Sequence, residues 1–155
     1  LKQKGVHQTS ITLHIGIDTF RPVDVDDPRN HQIHREYISC DVYAAKRIKS
    51  VRHNGGRIIA VGTTVVRTLE QLALWHDLDE GNFASSIEGW ADILILPGHK
   101  FKLVDSMITN FHLPKSTVLM MTSAFAGWER IEHAYMEAMR MNYRFYSFGD
   151  SMFIV

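Results

Sequence analysis

A three-layer α-β-α fold built on a mostly parallel sheet is predicted by three features of the chain. Two compact apolar runs, Arg57-Ile58-Ile59-Ala60-Val61 and Asp92-Ile93-Leu94-Ile95-Leu96, have the composition of strands buried on both faces. The first runs straight into Gly62-Thr63-Thr64 and an amphipathic helix, which makes half of a β-α-β unit. Strand-like and helix-like segments then alternate along the chain, the order of an α/β sheet whose ligands lie at the carboxyl ends of its strands.

From the amino end, Ile11-Thr12-Leu13-His14-Ile15 alternates apolar with polar, the period of a half-buried strand, and Gly16 opens a turn. Val23 to Asn30 is acidic and contains Asp27-Pro28, so it reads as an irregular connection before a short strand at Glu36 to Cys40. Asp41 can cap the next helix. Ala44, Ile48 and Val51 recur on its inner face, Lys46, Arg47, Lys49 and Arg52 face out, and Asn54-Gly55-Gly56 supplies a left-handed stop. After Gly62 a helix carries Val65, Val66, Leu69, Leu72 and Ala73 on one side and ends near Trp75-His76, before a polar loop from Asp77 to Gly89. Phe101 to Phe111 alternates again, and Pro114 suits the first turn of a helix over Val118 to Ala126 that Gly127 closes. The last helix, Glu129 to Asn142, carries Ile131, Ala134, Tyr135, Ala138 and Met139 on one stripe, and Phe145 to Val155 reads as a hairpin around Gly149-Asp150.

A chain of 155 residues, 45% hydrophobic and 22% charged, suffices for one core, so a single domain is expected. Basic and acidic residues both number 17, so no global charge advertises nucleic acid or an anionic membrane. RNA contact would need only a local basic face. The lone cysteine, Cys40, excludes an intrachain disulfide and fits a reducing, cytoplasmic setting. The opening Leu1-Lys2-Gln3-Lys4-Gly5 reads as neither signal peptide nor membrane segment, and a start at Leu is expected of a fragment. No metal is expected: His31 and His34 lie in a polar segment without cysteine or a His-Glu-x-x-His pattern. Neither Gly-x-Gly-x-x-Gly nor a P-loop occurs.

Four segments concentrate groups able to carry chemistry. Ile108-Thr109-Asn110-Phe111-His112-Leu113-Pro114-Lys115-Ser116-Thr117 joins a strand to a helix, and His112 can donate, accept or carry a proton near neutral pH. The plainer alternative is that Asn110 and His112 only satisfy backbone groups at a helix start. Gly62-Thr63-Thr64 followed by Arg67 offers a helix N-terminus and a guanidinium to a carboxylate or phosphate, or else an ordinary N-cap with Arg67 paired to Glu70 or Asp105. Gly16-Ile17-Asp18-Thr19-Phe20-Arg21-Pro22 holds a carboxylate, a hydroxyl, an aromatic face and a guanidinium, a set able to grip a nucleoside. Pro97-Gly98-His99-Lys100-Phe101-Lys102 adds a turn with two lysines.

In order and approximate spacing, these segments together with Ser123-Ala124-Phe125-Ala126-Gly127 and the closing Tyr143-Arg144-Phe145-Tyr146-Ser147-Phe148-Gly149-Asp150 resemble the carboxyl-terminal half of the S-adenosylmethionine:tRNA ribosyltransferase-isomerases of the queuosine pathway. The resemblance runs from about Ile11 to Ile154. It departs at Asp18, where the family usually carries Gly, and at His99, where it usually carries Tyr. The resemblance implies that residues 1–155 are the carboxyl-terminal part of an α/β catalytic domain whose amino-terminal portion and β-barrel lie outside this chain.

It also implies transfer and isomerisation of the ribosyl group of S-adenosylmethionine onto 7-aminomethyl-7-deazaguanine in a tRNA anticodon stem-loop, giving epoxyqueuosine, adenine and methionine. S-adenosylmethionine is then a co-substrate and no true cofactor is needed. The implied protein is a cytoplasmic monomer with no membrane partner. In this frame His112 is the first candidate for general base, His14 the second, and Asp105 a group to orient an imidazole or cation. Substrate contacts are expected from Gly16, Asp18, Thr19, Phe20, Arg21, Gly62, Thr63, Thr64, Arg67, Thr109, Asn110, Lys115 and Ser116, and RNA contacts from Lys100 and Lys102. The alternative from another class is a non-catalytic RNA- or nucleotide-binding α/β domain that keeps the same pocket.

Overall fold

The structure, a computed structural model, describes residues 1–16, 22–76 and 85–155. Its elements are β1 (Thr12–His14), β2 (Glu36–Cys40), α1 (Val42–His53), β3 (Ile59–Val61), α2 (Thr63–Trp75), β4 (Ile87–Ala91), β5 (Ser106–Asn110), α3 (Thr117–Ala126), α4 (Trp128–Arg140) and β6 (Ser151–Ile154), with short 3-10 turns at Lys2–Lys4 and Pro28–Asn30. Their boundaries follow local chemistry. The Asp41 carboxylate accepts the Ala44 N–H at 2.7 Å and starts α1. Gly55 takes the left-handed conformation (φ 67°) that ends it.

Mixed α/β architecture is present, but the sheet is not one mostly parallel layer. Among the described residues, two three-stranded sheets form, ordered β1-β2-β4 and β3-β5-β6. In them β3 and β5 run parallel, whereas β1–β2, β2–β4 and β5–β6 are antiparallel. The expected strand over Asp92 to Leu96 is absent, and β4 lies just ahead of it. Side chains of α2 have taken the place of a strand partner there: Gln71 Oε1 accepts both Asp92 N–H (3.0 Å) and Ile93 N–H (2.9 Å), while Arg67 donates to the Ala91 and Ile93 carbonyls. Apolar content in this run comes from packing, with Ile95 fully buried, and not from a ladder.

Three smaller expectations also change. β3 is an edge strand, which leaves Ile59 and Val61 exposed. Pro114 stands ahead of α3, because Lys115 is left-handed (φ 53°) and Ser116, extended, caps the helix by accepting Leu119 N–H at 3.2 Å. Residues after Phe145 do not pair with each other in a hairpin; β6 returns to pair with β5.

One core joins the two sheets. Ile38 and Cys40 of β2, Ala44, Ala45 and Ile48 of α1, Val66, Leu69 and Leu72 of α2, Ala91 of β4 and Met107 of β5 are packed together. α2 touches β3, β4, β5 and α3 and so lies at the centre. Its buried polar side chains organise the loops around it. The Glu70 carboxylate, fully buried, accepts the N–H groups of Lys102 (2.8 Å), Leu103 (3.0 Å) and Val104 (3.1 Å) and meets His99 Nε2 at 3.2 Å. Glu70→Gln would turn an amide NH₂ toward a cluster of donors and leave buried N–H groups unpaired. A loss of about 2–4 kcal/mol in unfolding free energy is expected, read by thermal or denaturant melts; an unchanged melt would show that this carboxylate does not anchor the loop.

Candidate active site

Because β3 and β5 are parallel, their carboxyl ends open on the same side, with Val61 beside Ile108. The Gly62 N–H extends the ladder by donating to the Ile108 carbonyl at 2.8 Å. Gly62 then turns the chain at φ 97°, ψ 144°, a left-handed φ that a side chain would strain, and α2 begins at Thr63 without a side-chain cap. The uncapped first turn directs N–H groups and the positive dipole end outward. Between the first turns of α2 and α3 lies a cavity of about 20 Å³, lined by Thr63, Thr64 and Arg67 on one side and Thr117, Val118 and Met121 on the other, with Glu36, Ile33 and residues 93–95 closing it. It has room for about one water molecule.

His112 follows the carboxyl end of β5. Its Nε2 lies 2.8 Å from Thr109 Oγ1, and its backbone N–H donates to the Tyr135 hydroxyl of α4 at 2.6 Å. Burial pushes the imidazole down from 6.5 to about 4, so it is neutral at physiological pH. A base of near-neutral pKa was expected; the low-dielectric setting overrides that expectation. Phe111 and Tyr135 meet edge-on at 5.2 Å and hold the segment against α4. Burial raises the Tyr135 hydroxyl pKa, although the bond from His112 N–H opposes this. In the sequence Tyr135 lies on an apolar stripe and reads as core, with no local signal of its bond to the His112 segment.

Arg67 is not the open anion grip expected from sequence, and neither Glu70 nor Asp105 is its partner. Its Nη1 donates to Glu36 Oε2 at 2.7 Å, Nη2 to the carbonyls of His34 (2.8 Å) and Ala91 (3.3 Å), and Nε to Ile93 O at 3.2 Å. Both members of the ion pair are buried, at 5% and 1% exposure. Desolvation lowers the guanidinium pKa while the charges of Glu36 and Asp92 raise it, and the net shift is downward. The residue that sequence reasoning missed is Glu36. Its parity with Ile38 and Cys40 in an alternating strand places a carboxylate on the inward face, a pattern that calls for a buried cation.

The remaining candidates divide by location. The Asn110 amide donates to the Asp150 carbonyl at 3.1 Å and the Gly149 carbonyl at 3.3 Å, tying the site to the C-terminal turn. The Lys115 carbonyl accepts the Val23 N–H at 2.8 Å, which brings the chain following residues 17–21 back to the His112 loop. Ser116 is a helix cap whose hydroxyl also donates to Leu113 O at 2.7 Å. Gly16 is exposed just past β1. Asp18, Thr19, Phe20 and Arg21 lie outside the described residues.

Asp105 cannot orient His112. It accepts Ile58 N–H at 2.7 Å at the opposite end of β5, and five strand residues, roughly 17 Å, intervene. Lys100 and Lys102 are exposed, but on the loop held by Glu70 at the entry to β5 rather than at its carboxyl end. His14 stands on the other sheet with its ring 6.0 Å from that of Tyr37. Among the described residues, no group of three or more His, Cys, Asp or Glu could hold a metal ion, and no helix is long and apolar enough to cross a membrane.

Comparison with known proteins shows the family. The family model described as queuosine biosynthesis protein matches residues 1–154. A curated S-adenosylmethionine:tRNA ribosyltransferase-isomerase from Symbiobacterium thermophilum is 52% identical over 155 residues, all of this chain and 44% of that protein. The crystal structure of S-adenosylmethionine tRNA ribosyltransferase from Thermotoga maritima matches with a TM-score of 0.80 at 40% identity, covering 99% of this chain and 47% of that one. The chain thus spans less than half the length of these relatives. On the family match, the identity and the shared fold, the chain belongs to the queuosine biosynthesis protein family.

Proposed function

We propose that residues 1–155 form part of the catalytic domain of a cytoplasmic, monomeric tRNA-modifying enzyme that moves the ribosyl group of S-adenosylmethionine onto 7-aminomethyl-7-deazaguanine in an anticodon stem-loop. The products are epoxyqueuosine in the tRNA, free adenine and methionine. The observation that carries this reading is the junction at the carboxyl ends of β3 and β5, where Gly62 N–H, at the start of the uncapped α2, donates to the carbonyl of Ile108, the neighbour of the Thr109 whose hydroxyl meets His112 Nε2.

The reaction needs a proton removed from the carbon beside the sulfonium, charge accommodated as adenine departs, attack by the neutral amine of the base, and departure of methionine as a thioether. His112 takes the proton. In the tautomer that donates Nε2–H to Thr109 Oγ1 the lone pair is on Nδ1, and the depressed pKa keeps that nitrogen unprotonated at working pH. The same shift makes it a weaker base, which places its contribution in the lower part of the 10²–10⁴ range of general-base catalysis. The N–H groups at Thr63 and Thr64 face the methionine carboxylate or a tRNA phosphate. Arg67 serves by holding β2, α2 and residues 91–93 in register around the cavity and not by touching the anion. Lys115, exposed on the His112 loop, meets the RNA backbone.

The test uses S-adenosylmethionine labelled in its ribose, the complete gene product that contains this chain, and substrate tRNA. Label should enter the tRNA with stoichiometric release of adenine and methionine. Binding of the RNA without label transfer or adenine release would support the non-catalytic binding domain instead.

A further inference from the structure

The turn at Tyr146–Asp150 is tightly built and yet presents a bare aromatic ring. Phe148 at its tip is 96% exposed. Below it, Asp150 accepts the Arg144 N–H at 2.8 Å and Arg144 Nη2 at 3.2 Å, while Asp150 N–H returns to the Arg144 carbonyl at 2.8 Å. Gly149 N–H closes the turn on the Tyr146 carbonyl at 2.9 Å, and a side chain at Gly149 would collide with the backbone of Arg144 and Phe145. Phe145 packs on Phe111 with centroids 5.0 Å apart.

Two of these anchors belong to the His112 segment. Tyr146 N–H donates to the Phe111 carbonyl at 3.0 Å, and Asn110 holds the Gly149 and Asp150 carbonyls. Chain geometry then keeps the Phe148 and His112 backbones within about 16 Å of each other. The turn that carries the ring is therefore held to the His112 segment. Tyr146, 53% exposed, and Arg144, its side chain 74% exposed and paired with Asp150, lie in the same segment.

We propose that Phe148 is the stacking platform for an unpaired base of the RNA substrate, an inference that rests on the functional reading above. A small ligand such as S-adenosylmethionine is gripped in a concavity. A convex tip instead suits a base splayed from a loop and presented by its own scaffold, which is how single-stranded segments meet aromatic side chains. The rigid turn means that little order must be gained when the base arrives.

In the complete gene product, Phe148→Leu should raise KM for the anticodon stem-loop about tenfold, within the range of one lost base stack. The KM for S-adenosylmethionine, kcat at saturating RNA and the melting temperature should stay unchanged. Phe148→Trp should bind normally, and the introduced indole should be quenched by the stem-loop but not by S-adenosylmethionine alone, read as a difference from the unaltered protein. Quenching by S-adenosylmethionine alone would reassign the ring to adenine and overturn the proposal. A lower melting temperature in Phe148→Leu with unchanged KM would show that other parts of the polypeptide cover the ring, and would overturn it too. If the unaltered protein transfers ribosyl to tRNA and both variants match it without quenching, this inference alone fails; if the unaltered protein neither binds the stem-loop nor transfers ribosyl, the functional reading fails with it.

Discussion

Arg67→Ala is expected to be the most destabilising single substitution in the described site, with a loss of about 3–5 kcal/mol of unfolding free energy. The loss comes from what remains behind. Glu36, 1% exposed, would keep a carboxylate without the guanidinium 2.7 Å away, and the carbonyls of His34, Ala91 and Ile93 would lose a donor. Replacing both partners, as in Glu36→Gln with Arg67→Met, should recover a substantial part of the loss, since removing a buried pair is far less costly than removing one charge of it. Denaturant unfolding of the two single variants and the double variant measures the coupling. If Arg67→Ala melted normally and only weakened substrate binding, the guanidinium would be a ligand contact after all.

His112→Gln should lower single-turnover ribosyl transfer by about 10²–10³ while leaving the fold and S-adenosylmethionine binding intact, because glutamine hydrogen-bonds but cannot take the proton. A pH signature accompanies it. The folded-state pKa of about 4 lies below the ordinary 6.5, so the unfolded chain binds this proton first as pH falls. His112 therefore removes stability between about pH 6.5 and pH 4, by up to roughly 3 kcal/mol, and has no such effect above that window. His112→Gln should flatten this part of the stability curve. In the active enzyme, the acid limb of kcat/KM that reports His112 should lie near 4 and not near 6.5. Near-normal turnover in the Gln variant would make His112 a structural residue of the β5–α3 connection.

What could be read from sequence is the chemistry of short range. The Asp41 cap, the Gly62 turn at the start of α2 and the short strand at Glu36–Cys40 depend on neighbours a few residues apart, and each appears where expected. Partnership across the chain was not legible. Residues 92–96 have the composition of a buried strand, yet the backbone of Asp92 and Ile93 is bonded to Gln71 and Arg67, side chains on a helix more than twenty residues away. No local pattern distinguishes an apolar run that joins a ladder from one held by side chains. The return of β6 to β5 is another long-range pairing, and it converts an expected terminal hairpin into the brace for the His112 segment. The site shows the same division: His112 and Thr109 stand together because they are three residues apart, whereas the assignments of Asp105 and Arg67 depended on strand direction and on Glu36.

The central claim is that the reacting carbon is placed at the carboxyl ends of β3 and β5, against His112. A crystal structure of the complete gene product with S-adenosylmethionine and the anticodon stem-loop tests it most directly. The carbon beside the sulfonium should lie within about 3–3.5 Å of the His112 imidazole, with the methionine carboxylate or an RNA phosphate at the first turn of α2. S-adenosylmethionine seated away from this junction, with His112 still enclosed by Thr109 and Tyr135, would contradict it.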